Sequence, residues 1–385
     1  MHNYRNILQS CHLNFLIGSG ASAPYFSTLK NIEQLLTDIN KISDESLREK
    51  LRASILKKYF STCIEKNIDL LDNFKDFNKS KVGESYIRFF RTINNIVLNR
   101  KNNLINKQVN LFTTNMDIFQ ECAFETLGFE HNDGFSGRIF SKFSLSNYKK
   151  SIHKTSSHYN VISEIPVFNL LKLHGSVTWK NDVDNVILHD QTLAALKKIK
   201  SIGVKSEHLL PEASLIYPLK IEEVQEICKD IPDSEEVRGF LESYDKLAII
   251  KPTKDKFKST TLNYTYYEML RMFSNELEKE NSVLFVIGFS FADEHLREII
   301  IRSVKSNPTL FIFILSYDSV GEQETRDYFT NSGVDEIPSN LCFTERREVD
   351  EEGEKLEIKF SLSEVEYFFR SILQEIKKGK DGKSS

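Results

Sequence analysis

Asn115 and His174 each stand just past a short apolar run, in Thr113-Thr114-Asn115-Met116-Asp117 and in Leu171-Lys172-Leu173-His174-Gly175-Ser176. An imidazole with its ordinary pKa of about 6.5 accepts a proton at cellular pH without a large shift. A side-chain amide both donates and accepts hydrogen bonds, so it can orient a hydroxyl or a water. Two further stretches follow the same plan. Gly18-Ser19-Gly20-Ala21-Ser22-Ala23 comes after Leu13–Ile17 and fits the dinucleotide pattern G-x-G-x-x-G/A. Glycine there permits a tight turn and lets the backbone approach a pyrophosphate at a helix N-terminus. Gly288-Phe289-Ser290-Phe291-Ala292-Asp293 comes after Val283–Ile287.

Each stretch also has a plainer reading. The glycine loop serves equally as a turn with no ligand, Asn115, Asp117 and Asp293 as helix caps, and His174 as a ring satisfied by hydrogen bonds. The acidic residue that completes a dinucleotide fingerprint is missing at its place, because Asp38 lies within a helical pattern. A conventional dehydrogenase is therefore poorly supported. Four strand ends that deliver glycines, an amide, an imidazole and hydroxyls to one edge nevertheless point to a site.

The elements that must hold these residues alternate. Strands are expected at Leu13–Ile17, Val109–Thr113, Val167–Leu173, Leu247–Ile250, Val283–Ile287 and Leu310–Leu315. Helical apolar spacing separates them, as in Ile32, Leu35, Leu36, Ile39 and again in Tyr86, Phe89, Phe90, Ile93, Val97, stripes read as core packing. This alternation implies an α/β fold with a mainly parallel sheet covered by helices on both faces. The expected organisation is one nucleotide-binding domain over 1–340, with a helical insertion at 30–105 and a covering insertion or lid at 180–245. A C-terminal hairpin and helix follow at 341–376, then a disordered tail at 377–385.

Composition narrows the function. Apolar residues make up 40% and charged residues 28% of the 385, which suits a substantial core. The net charge of −4 advertises no basic field, so direct nucleic-acid binding is not expected, and the lysines within Lys251–Lys258 read as a solvated face. Five scattered cysteines without a CxxC pair argue against a disulfide framework and a zinc ribbon. Met1–Ser10 is polar, which suggests no secretory leader, and Leu310–Leu315 is too short to span a bilayer. A cytoplasmic protein without membrane contact is the expectation.

Leu16-Ile17-Gly18-Ser19-Gly20-Ala21-Ser22, Thr113-Thr114-Asn115-Met116-Asp117, Leu171-Lys172-Leu173-His174-Gly175-Ser176 and Gly288-Phe289-Ser290-Phe291-Ala292-Asp293-Glu294-His295 resemble, in order, the motifs of the sirtuin superfamily. The closer resemblance is to its bacterial branch of NAD-hydrolysing anti-phage effectors, over about residues 11 to 320. It implies a Rossmann-like fold and cleavage of the nicotinamide–ribose bond of NAD, as substrate, with no metal. By the same resemblance Gly18, Ser19, Gly20, Ala21 and Ser22 hold the diphosphate. Asn115 positions the ribose and the attacking water, Asp117 supports the same ribose and the loop, and Thr114 is a further NAD-binding residue. His174 is the base, and Gly288, Ser290 and Asp293 line the adenosine half. Two departures weigh against a protein deacylase of this fold. The chain lacks a four-cysteine zinc module, and Pro24-Tyr25-Phe26-Ser27 replaces the usual second-glycine and arginine signature. A nucleotide-binding scaffold without catalysis is the remaining alternative. Relatives of this kind imply a homo-oligomer paired with a HerA-type ATPase or another defence partner.

Overall fold

In the central strands, alternate side chains enter two different cores, because successive residues of a strand point to opposite faces. Leu13, Phe15 and Ile17 join one core and Leu16 the other; Val283, Phe285 and Ile287 separate in the same way from Leu284 and Val286. A strand buried on both faces is apolar at nearly every position, which is why these runs stand out in the sequence. The computed structural model describes residues 4–27, 32–101, 104–181, 186–216, 218–250, 260–332, 337–351 and 354–381. The lysine cluster at 251–258 lies outside the described residues.

Seven strands form the main sheet: β1 (His12–Ile17), β2 (Gln108–Thr113), β3 (His131–Asn132), β4 (Val167–Lys172), β5 (Ser282–Ile287), β6 (Phe311–Leu315) and β7 (Leu341–Phe343). Their order is β7-β6-β5-β1-β2-β4-β3, and every pairing is parallel. With helices on both faces this is the Rossmann-like α/β architecture expected from the strand–helix alternation. One face is covered by the Lys81–Leu98 and Leu362–Asp381 helices. Phe369 of the latter packs on Phe15, Phe89 and Phe285 at ring-centroid distances of 5.7, 5.9 and 4.9 Å. The other face is covered by the Thr260–Glu278 and Glu294–Ser306 helices, through Met269, Phe273, Leu296 and Ile300.

Three features have no counterpart in the strand and helix pattern. The chain turns sharply after β4 and enters a second, antiparallel sheet of five strands. Gly175–Asn181 belongs to it, and so does Leu247–Ile249, which pairs with Gly175–Asn181 rather than extending the main sheet. Gly175 makes the corner with φ +77°, where a Cβ would lie 2.3 Å from the Ala248 carbonyl oxygen and 2.5 Å from the Tyr266 hydroxyl. The two stretches expected as insertions also pack on each other. Glu45–Tyr59, capped by the Asp44 carboxylate on the Leu47 amide at 3.1 Å, lies against the helices that follow residue 190. Their contact includes Phe60 on Phe240 (6.2 Å), Lys50 to Asp233 (3.2 Å) and the Leu210 amide on Ser54 Oγ (2.9 Å). Finally, the C-terminal helix continues to Asp381, past the expected end at Ile376, and β7 lies within the main sheet.

Candidate active site

The chain leaves β1 toward β2 on one side and later returns through β5 on the other. Such a reversal of strand order opens a crevice at the carboxyl ends of the two strands, the usual ligand position of open α/β sheets. The loops that follow β1 and β5 meet there. Gly20 N–H donates to the Gly288 carbonyl at 2.9 Å, and a Cβ on Gly18 would fall 2.4 Å from that same oxygen. Gly288 has φ +61°, and a Cβ on it would fall 2.5 Å from the Ala21 nitrogen. Glycine is therefore needed so that two backbones can touch. Ser19–Ser22 forms one 3-10 turn, with Ser19 and Gly20 exposed and Ala21 and Ser22 buried.

The neighbouring loop, after β2, is anchored to the first. Thr113 Oγ1 donates to the Ile17 carbonyl at 2.8 Å and accepts from the Asn115 amide at 3.0 Å, while Thr114 N–H donates to the Ile17 carbonyl at 3.3 Å. The Asn115 side chain is buried. Its Nδ2 donates to the Gly18 carbonyl at 3.0 Å and to Ser22 Oγ at 3.2 Å. A carbonyl only accepts, so the atom facing Gly18 must be the nitrogen, and the orientation of the amide follows. Both donors are thereby engaged. Asn115 Oδ1 is buried with no hydrogen-bond partner among the described residues.

Ser22 joins this amide to a charge. Its hydroxyl donates to Asp117 Oδ2 at 2.7 Å and lies 3.0 Å from the Tyr86 hydroxyl. Burial pushes the Tyr86 phenol well above its ordinary value, and the Asp117 carboxylate pushes it further. Tyr86 therefore stays protonated and donates to Ser22, whose single proton already goes to Asp117. The second oxygen of Asp117 accepts from the Phe119 amide at 3.1 Å, at the start of the Phe119–Leu127 helix. Lys172, buried at the end of β4, donates to the Asp117 carbonyl and pairs with Glu121 at 3.0 Å. Burial raises the pKa of Glu121, and Lys172 opposes that rise.

His174 occupies the next loop. Thr113 pairs with Lys172 in the β2–β4 register, so Asn115 and His174 are each two residues past a matched pair of neighbouring strands. The Leu173 amide donates to the Thr113 carbonyl at 2.8 Å and the Ile250 amide to the His174 carbonyl at 2.9 Å. The His174 side chain is about one-fifth exposed, and Nε2 lies 3.0 Å from Asp293 Oδ2. Asp293 also caps the Glu294–Ser306 helix, with Oδ1 accepting from the Leu296 amide at 3.2 Å.

All four motifs thus end at one edge of the main sheet. Asn115, Asp117 and Ser22 form one buried cluster, and His174 and Asp293 form a second, more open pair. Gly18, Gly20 and Gly288 join the loops at the backbone, and Thr114, Ser19 and Ser290 range from half-buried to exposed. Asp293 faces His174, in addition to filling the helix-cap role weighed from its position. Tyr86 and Lys172 belong to the cluster but carried little signal in the sequence. Tyr86 sits in an otherwise core-like helical stripe, and Lys172 interrupts an apolar strand. Among the described residues, no group of three or more His, Cys, Asp or Glu side chains is gathered as a metal ion would require. No helix among them is long and apolar enough to cross a membrane.

No curated protein matches the chain. A family model described as SIR2-like domain matches residues 237–337, a span that carries β5, Gly288, Ser290, Asp293 and β6 but not the Gly18, Asn115 or His174 loops. This is a similarity to the SIR2-like domain over that span alone.

Proposed function

We propose that this chain is an NAD hydrolase that cleaves the nicotinamide–ribose bond to give nicotinamide and ADP-ribose. The observation that carries the reading is the orphaned Asn115 Oδ1, a buried acceptor at the carboxyl ends of the strands, with His174 on the adjoining strand end. A buried polar atom without a partner costs about 1–3 kcal/mol, so its retention makes sense where a ligand hydroxyl or a water completes it. Both donors of this amide are engaged within the protein, so Asn115 offers the substrate an acceptor only.

The chemistry asks little more of the protein. Nicotinamide leaves as a neutral molecule when the C–N electron pair returns to its ring, so no strong general acid is required. A water that donates a hydrogen bond to Asn115 Oδ1 or to His174 attacks the anomeric carbon. The surplus proton passes to His174 and on to solvent, so NAD and water become nicotinamide, ADP-ribose and a proton. A positioned base contributes about 10²–10⁴-fold, and orientation contributes more. The exposed Ser19–Gly20 turn lies where the diphosphate binds in this reading.

The motif resemblance supports a wider role as an effector of bacterial anti-phage defence that depletes NAD. In that role the chain works as a homo-oligomer switched by a HerA-type ATPase or another defence partner. The test is incubation of the purified protein, alone and with such a partner, with NAD, followed by chromatographic identification of the products. Nicotinamide together with ADP-ribose supports the reading. Nicotinamide release only with an acyl-lysine peptide points to a deacylase, and tight NAD binding without any cleavage points to a scaffold.

A further inference from the structure

We infer that Asp293 is a positioning residue that holds a proton on Nε2 of the His174 ring, so that in the neutral ring Nδ1 is the free base. A carboxylate only accepts, so the ring nitrogen 3.0 Å from Asp293 Oδ2 must carry the hydrogen. Both partners are held from outside the pair. On one side, the Ile250 amide and the Gly175 corner fix the His174 backbone. On the other, the Leu296 amide holds Asp293 Oδ1 at the N-terminus of a 13-residue helix, which favours the anionic carboxylate.

The backbone that delivers Asp293 is itself strained. Phe291, two residues earlier, is fully buried at φ +58°, a left-handed conformation that a bulky side chain adopts at a cost of about 1–2 kcal/mol. It is clamped there by Arg297, which donates to the Phe291 carbonyl at 2.6 Å and to Ser332 Oγ at 3.1 Å. Phe329 packs against the Phe291 ring at 5.1 Å. A strained residue held so firmly, beside an ion-pairing residue at a crevice, marks a loop whose purpose is to aim one side chain. That side chain is Asp293.

The catalytic consequence rests on the NAD-hydrolase reading, but the tautomer does not, so the test separates them. Asp293→Asn keeps the helix cap, because its Oδ1 can still accept from Leu296, and it turns an Nδ2 donor toward the ring. The ring must then expose a bare Nε2 and move its proton to Nδ1. Nitrogen-15 imidazole NMR on the full chain without substrate, with His174 assigned by loss of its signals in His174→Gln, reads the tautomer directly. The parent is expected to show the Nε2–H form and Asp293→Asn the Nδ1–H form. In NAD turnover, kcat is expected to fall by about 10²–10⁴-fold while KM changes little. Asp293→Ser also caps the helix but is too short to reach the ring; it is expected to give mixed tautomers and a fall in kcat. An unchanged tautomer in Asp293→Asn, or a changed one with parental kcat, overturns the inference. A parent with the Nε2–H form but no NAD cleavage in any assembly refutes the hydrolase reading and leaves the pair standing.

Discussion

Ser22→Ala separates two uses of one hydroxyl. If Ser22 serves the diphosphate of a bound dinucleotide, its loss raises KM and leaves the free protein as stable as before. The structure instead engages it three ways: donor to Asp117 at 2.7 Å, acceptor from Asn115 at 3.2 Å and acceptor from Tyr86 at 3.0 Å. A hydrogen bond to a charged group contributes about 1.5–3 kcal/mol and a neutral one about 0.5–1.5 kcal/mol. Partial relaxation around a small residue that is 1% exposed reduces the sum, so the expected loss is about 2–4 kcal/mol. The Asn115 amide keeps only its bond to the Gly18 carbonyl and gains freedom to turn. Turnover is therefore expected to fall about 10–100-fold in kcat with KM close to parental, the signature of a misplaced group rather than a lost contact. Urea-unfolding midpoints give the stability and steady-state NAD kinetics give the split. Stability within about 0.5 kcal/mol of the parent, the range of a neutral surface change, together with a raised KM refutes the reasoning.

The remaining expectations use the same assays. Asn115→Ala and His174→Ala should each lower NAD turnover at least about a hundredfold while circular dichroism stays parental; folded variants that cleave NAD like the parent exclude the two residues as the working pair. Gly18→Ala drives a methyl to 2.4 Å from the Gly288 carbonyl oxygen, a clash with backbone that cannot turn aside, and should cost about 1–3 kcal/mol in urea unfolding; a parental midpoint shows that the two loops are not in contact. Glu276 supplies the pH test. Burial alone pushes its carboxyl up, but ion pairs with Lys279 at 2.5 Å and Lys149 at 3.1 Å more than offset this and leave it below its ordinary value. A lowered pKa contributes stability above the ordinary carboxylate range and loses it as pH falls through the folded value. Glu276→Gln should therefore be less stable than the parent at neutral pH, with a gap that narrows below about pH 4 in an acid titration of the unfolding free energy. A gap independent of pH removes the ionised carboxylate from the account.

The sequence alone determined the parallel sheet and where its strands end. Strands buried on both faces are apolar at nearly every position, so Leu13–Ile17, Val109–Thr113 and Val283–Ile287 announce themselves, and the polar residues just beyond them mark the edge where ligands of such sheets sit. A central strand of parallel topology carries its functional residues at its carboxyl end, which is why Asn115, His174 and Asp293 were legible as candidates. What those residues do to one another was decided only by tertiary contact. Strand order brought β5 beside β1 and so set Gly288 against Gly18, while the loops after β5 and β4 brought Asp293 to His174 and the Lys81–Leu98 helix brought Tyr86 to Ser22, across separations of 119 and 64 residues. Local pattern reports which face a side chain takes but is blind to what waits there. A tyrosine in a phenylalanine stripe reads as core until its hydroxyl meets a serine, and a capping aspartate reads as a cap until an imidazole arrives from another strand. The second sheet escaped for a related reason: its strands are short and joined across the corner at Gly175, so their pairing depends on distant partners rather than on a run of residues.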